Sequence, residues 1–146
     1  MTAKEYLRQI EVARHRVKRL RDTIDETLSD MRMVSSPSLE ERVQTSPRDR
    51  MPEYAARIDK YERQLRKEIE REEKLIIKIC KQVDGLKKDG EKADTVETWR
   101  RILHLRYVDC IKDWRVINRI INYSPSQSYK LHNDALAQFA KQYLRQ

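Results

Sequence analysis

The 146-residue chain is 38% charged and 38% apolar, carries a net charge of +8, and contains two glycines, four prolines and one phenylalanine. So little glycine, among so much Arg, Lys, Glu, Leu and Ile, excludes a sheet-rich fold with many tight turns. The modest apolar share excludes a large central core and favours narrow seams between helices. No stretch has the length and apolarity of a transmembrane helix. The first residues read as a charged helix rather than a leader peptide.

The positive excess leaves an acidic partner open, and nucleic acid is the commonest. It is also uneven. Residues 93–146 hold nine basic and five acidic groups, a net of +4, against +2 in each of 1–51 and 52–92. Cys80 and Cys110 have no Cys or His neighbour at ligand spacing, which points to a reducing, cytoplasmic setting without disulfides.

In chain order, the first element is a long amphipathic helix. Thr2 with Glu5 forms the signature of a capping box. Tyr6, Ile10, Ala13, Val17, Leu20, Ile24, Thr27, Met31 and Val34 then follow alternating steps of four and three, the seam of a left-handed coiled coil. Thr27 is its one polar position, with Leu28 beside it. A break follows at about 34–52, carried by Ser36-Pro37 and by Arg42-Val43-Gln44-Thr45-Ser46-Pro47.

Pro52 suits the first turn of a second long helix. Its stripe is Tyr54, Ile58, Tyr61, Leu65, Ile69, Ile76, Ile79, Val83 and Leu86. Consecutive steps of four at Tyr61, Leu65 and Ile69 form a stutter, and Glu72 interrupts the seam. Gly85 and Gly90 bracket its end. Two helices of similar length with complementary stripes pair most simply as an antiparallel hairpin, within one chain or between chains. Residues 1–90 are therefore expected to form a helical hairpin, and 91–146 a separate domain.

That domain begins with a helix capped by Asp94 or Thr95 and running through Trp99, Ile102, Leu103 and Tyr107. A break is expected at 108–112. Asp113 then caps a short helix with Trp114, Ile117, Ile120 and Ile121. Asn122-Tyr123-Ser124 is a turn. Ser124 is the N-cap of the last helix, Pro125 its first residue, and Gln127 closes a second capping box. Leu131, Ala135, Leu136, Phe139 and Tyr143 continue its apolar stripe.

A short helix, a three-residue turn and a longer capped helix have the form of a helix-turn-helix. Ser126, Gln127, Tyr129, Lys130 and Asn133 would present amides, hydroxyls and a cation to base edges in a major groove. Ser124, at the helix N-terminus, would meet a phosphate. Arg115 and Arg119 would grip the backbone of double-stranded DNA from the preceding helix. An ordinary helical corner with a solvated face would show the same periodicity.

At these residues a resemblance enters. Asp113-Trp114-Arg115-Val116-Ile117 through Ser124, then Tyr129-Lys130-Leu131-His132 and Ala135-Leu136, resembles region four of bacterial sigma factors. Ile102-Leu103-His104-Leu105-Arg106-Tyr107 resembles the helix leading into it. Most of the chain, including the linker string at 42–47, is similar to small phage and prophage proteins of Gram-positive bacteria with a helical N-terminal part and a sigma-region-four-like end. The resemblance implies a promoter-binding accessory factor that acts in phage transcription and contacts RNA polymerase. Arg115 and Val116 stand where sigma factors usually carry acidic residues. Nothing resembles the sigma region that melts DNA, so a complete sigma factor is not implied.

The expected architecture is all-α: a long, self-associating antiparallel helical hairpin joined to a sigma-region-four-like helix-turn-helix. Neither cofactor, metal, membrane nor catalysis is expected. The alternatives are a phage DNA-packaging component resembling a small terminase subunit, and a helical adaptor that binds protein without reading DNA. His15, His104 and His132 lack partners at metal spacing, and His132 reads either as a DNA contact or as packing. Runs such as Glu68-Ile69-Glu70-Arg71-Glu72-Glu73 read as intrahelical ion pairs rather than acid–base chemistry. Trp99 and Trp114 read as core anchors rather than stacking platforms.

Overall fold

The computed structural model describes residues 1–35 and 51–144. The linker signals at 36–50 lie outside the described residues, as do the side chains of Met31 and Val34. Most of the described residues are helical and none lies in a strand. The elements are α1 (Ala3–Ser35), α2 (Met51–Asp84), α3 (Ala93–Leu103), a π-helical turn (His104–Val108), α4 (Trp114–Ile121), α5 (Pro125–Phe139) and a second π-helical turn (Ala140–Leu144).

The chain divides into two compact units, residues 1–14 with 74–146, and residues 15–73. A division at residue 90 is not what packing produces. The reason lies in where apolar side chains converge. Ala3, Leu7 and Ile10 of α1 share one buried cluster with Ile79 and Val83 of α2, Val96, Trp99 and Leu103 of α3, and Ala135 and Phe139 of α5. Leu7, outside the stripe that runs from Tyr6, is fully buried because these turns of α1 face more than one neighbour.

Capping fixes the entry to this first unit. The Thr2 main-chain N–H donates to the Glu5 carboxylate at 2.8 Å, and the Glu5 N–H donates to the Thr2 hydroxyl at 3.2 Å. Those bonds, the main-chain one foremost, hold the Glu5 carboxyl below its usual range. The end of α2 is tied from α5 and beyond. Lys87 N–H donates to Gln142 Oε1 and Gln142 Nε2 donates to the Gly85 carbonyl, both at 3.0 Å. Gln138 donates to the Lys87 carbonyl at 2.7 Å, and Arg100 to that of Leu86 at 2.7 Å. Carbonyls and an N–H freed by the end of the helix thus find partners. A side chain at Gly85 would meet the Tyr143 hydroxyl at 2.9 Å and the Lys81 carbonyl at 3.2 Å, so a residue without one stands there.

The start of α3 differs from the expected cap. Lys92 is the extended N-cap residue and offers no side-chain bond, while Asp94 and Thr95 lie inside the helix. The path is set by Gly90, at φ +81°, a left-handed conformation that glycine adopts without cost. Asp94 still sits in the first turn, where the helix dipole favours a carboxylate.

In the second unit the seam is thin. Val17 and Ile24 of α1 pack with Leu65 and Ile69 of α2, flanked by Leu20 and Leu28. Tyr54 and Tyr61, expected in that seam, stay 38% and 44% exposed. The polar seam position is satisfied locally, since the Thr27 hydroxyl donates to the Thr23 carbonyl at 2.8 Å. Arg16–Glu72 (3.2 Å) and Arg21–Glu73 (2.5 Å) bridge the helices. Arg66–Glu62 and Arg63–Asp59 are pairs within α2, whereas Glu72 and Glu73, read from the sequence as intrahelical partners, pair with arginines of α1 that the folded chain brings near.

Candidate nucleic-acid interface

The segment from Asp113 to Phe139 is built from strong local signals. Asp113 accepts the Arg115 N–H at 2.9 Å and opens α4. Asn122 closes α4 in the left-handed region, at φ 60° and ψ 46°, a conformation asparagine tolerates better than most residues. Ser124 is extended and caps α5, with its hydroxyl accepting the Gln127 N–H and its own N–H donating to the Gln127 side chain, both at 3.3 Å. Pro125 fills the first turn, where a missing N–H costs nothing.

The inner faces then decide how the helices pack. Ile117 and Ile121 of α4 form a buried cluster with Ile102 of α3, and Leu131 of α5 packs against it. Ala135 and Phe139 turn into the larger cluster, so α5 packs on α3 as well as on α4. Ser128 is fully buried, and its hydroxyl has no hydrogen-bond partner among the described residues.

Arg106 secures the break before α4. Its guanidinium donates to the carbonyls of Ile111 (3.1 Å) and Lys112, and lies 5.0 Å from the centre of the Trp114 ring. Arg14 donates to the Val108 carbonyl, and Lys112 pairs with Glu11 at 2.9 Å. Cys110 within the break is left-handed, at φ 57°. Neither Arg106 nor Arg14 carries a local sequence signal, because both act on carbonyls that only the folded chain brings near.

All eight candidate contact residues, Arg115, Arg119, Ser124, Ser126, Gln127, Tyr129, Lys130 and Asn133, are exposed. They are not equivalent. Ser126, Tyr129, Lys130 and Asn133 recur at helical spacing and form one outward stripe on α5, with Tyr129 67% exposed. The side chains of Tyr129, Lys130, Asn133 and Arg119 have no hydrogen bond or ion pair among the described residues. Gln127 and Ser124 are committed to the capping box. Arg115 is engaged by Asp113, at 3.3 Å and 3.4 Å, and that guanidinium holds the Asp113 carboxyl below its usual range. A phosphate would have to compete with Asp113 for it.

His132 is on the inner side. It is 5% exposed, its Nε2 shares a 2.9 Å hydrogen bond with the Tyr107 hydroxyl, and the Trp114 ring meets it edge-on at 4.8 Å. Burial, with the charges of Lys4 and Arg106 adding to it, lowers its pKa to about 4. The neutral ring therefore serves packing, and the alternative of a DNA contact falls. Trp99, 4% exposed, lies within the larger cluster.

Outside the stripe, Val116, Ile120 and Tyr123 are 40%, 39% and 40% exposed on and just after α4. Among the described residues no group of three or more His, Cys, Asp and Glu could hold a metal ion, and no helix is long and apolar enough to cross a membrane. No family model, no curated protein and no solved structure matches this chain.

Proposed function

We propose that the chain is a sequence-specific DNA-binding regulator of phage type, in which α4, the turn and α5 act as a sigma-region-four-like helix-turn-helix. The observation that carries the reading is the outward stripe Ser126, Tyr129, Lys130 and Asn133 on a helix fixed at its start by a capping box. Hydroxyl, amide and ammonium groups at this spacing suit base edges in a major groove. Arg119, without an ion-pair partner among the described residues, and Arg115, shared with Asp113, would hold phosphates. The two long helices would pair as a hairpin that self-associates and sets the spacing of half-sites. RNA polymerase would be a further partner, in the cytoplasm.

A second reading, a helical adaptor, draws on the exposed Val116, Ile120 and Tyr123, since adjacent apolar side chains on a helix suit a protein partner. A packaging component of small-terminase type would instead assemble as a ring of many subunits.

Selection of duplexes from a random pool, followed by competition against a scrambled control, tests the proposal. The expected result is a selected motif. Lys130→Ala and Asn133→Ala should each weaken binding to it by about 1–3 kcal/mol while leaving the scrambled duplex less affected. These variants are preferred to Gln127→Ala, which also opens the capping box. Absence of binding to any duplex at low salt sinks the proposal and favours the adaptor.

A further inference from the structure

We propose that Lys4 and Arg8, on the first two turns of α1, grip the phosphate backbone beside the groove read by α5, making the start of the chain part of the nucleic-acid interface. This rests on the duplex-binding reading above and adds an anchoring element to it.

Packing brings these turns to α5. Ala3 and Leu7 are buried in the cluster that holds Ala135 and Phe139, and the Tyr6 ring lies 5.9 Å from that of Phe139. Lys4 and Arg8 are one turn apart, on a flank about 100° around the helix from Ala3 and Leu7, and both are exposed. Lys4 is close enough for its charge to act on the His132 ring, and Arg8 on Tyr107. The His132 ring meets Trp114 at the start of α4, and Glu11, one turn on from Arg8, reaches Lys112, so these turns lie beside the break that leads into α4.

Neither cation forms an ion pair or a hydrogen bond among the described residues. Glu5 bonds to Thr2 and only shares its charge with Arg8, and Glu11 reaches Lys112 at 2.9 Å. Lys4, in the first turn of α1, also stands at the positive end of the helix dipole, where a cation is disfavoured. A phosphate track supplies the missing counter-charge. It also fits the Lys112, Arg115 and Arg119 side chains that follow in the same compact unit.

The test is a salt titration of the full chain on a mixed-sequence duplex. K4Q/R8Q should flatten the slope of log affinity against log salt by about two, and weaken all duplexes by roughly tenfold or more at low salt. The order of preference among sequences should stay as in the parent. K4R/R8K should restore the parent slope. K78Q/K81Q removes equal charge from exposed positions of α2 and should keep it. A parent slope in K4Q/R8Q, or equal flattening in both glutamine pairs, overturns the inference while leaving duplex binding intact. Failure of the parent to bind any duplex overturns the duplex reading itself, and this inference with it.

Discussion

The two compact units are held by different physics. In the first, residues 1–14 with 74–146, side chains such as Leu7, Ile79, Leu103 and Phe139 are fully buried, and a crowd of aromatic rings and directed hydrogen bonds fixes their arrangement. In the second, residues 15–73, the four seam residues keep 4–8% exposure and the cross-links are ion pairs at the surface. One region has a packed interior, while the other is a ribbon with one apolar edge. Specific recognition needs a rigid frame, and the candidate reading helix belongs to the region that has one.

The contrast is tested most sharply by cavities. Phe139→Ala should cost about 3–5 kcal/mol, because its surroundings are closed and cannot collapse onto the hole. Ile24→Ala should cost only about 1–2 kcal/mol, since a thin seam relaxes and water is near. Denaturant unfolding, with hydrogen exchange resolved by segment, reads both values. Equal costs would erase the distinction.

The next effect is acid sensitivity confined to the first unit. The folded His132 has a pKa of about 4, below the ordinary 6.5, so the unfolded chain takes up the proton first. Its contribution is fully present above pH 6.5 and is lost as pH falls towards 4. The loss should reach about 2–3 kcal/mol. Glu5 and Asp113, whose carboxyls are held low, weaken in the same direction at more acid pH. In His132→Gln the fall between pH 6.5 and 4 should shrink. An unchanged pH profile would place the sensitivity elsewhere.

A smaller effect belongs to the turn. Asn122→Ala should cost about 1 kcal/mol, because the left-handed backbone then meets a Cβ without compensation, whereas Asn122→Gly should be neutral or better. Comparing their melting temperatures decides it. Least of all should be the surface bridges. A double-mutant cycle on Arg16 and Glu72 should give under about 1 kcal/mol, shrinking further with salt. A large coupling there would mean that the ribbon is stiffer than its seam implies.

The same contrast governs what could be read in advance. Asp113, Asn122, Ser124, Pro125 and Gln127 announce α4, the turn and α5, because caps and turns are decided within four residues. Ile117, Ile121 and Ala135 were legible as inward positions for the same reason of spacing. What depends on distant chain was not. Leu7 is buried through neighbours from α2, α3 and α5, Arg106 acts on carbonyls of a later break, and α3 begins where Gly90 redirects the chain rather than at Asp94. The candidate stripe was legible as a set of residue types. Which members are free, and that Arg115 and Gln127 are already occupied, follows only from the folded neighbourhood.

The split composition of the first unit has a consequence for synthesis and handling. Its interior joins residues 1–14 to residues 74–146 across an excursion of 15–73, so folding must close a long loop, at an entropic cost that grows only slowly with length. The first turns of α1 complete their apolar contacts only once α5 is joined to them. A fragment starting at residue 91 would lack the Ala3, Leu7, Ile10, Ile79, Val83 and Leu86 wall of its own interior and expose an oily face. Conversely, a chain cut once between α1 and α2 should stay together, its two pieces complementing each other like halves of a split reporter.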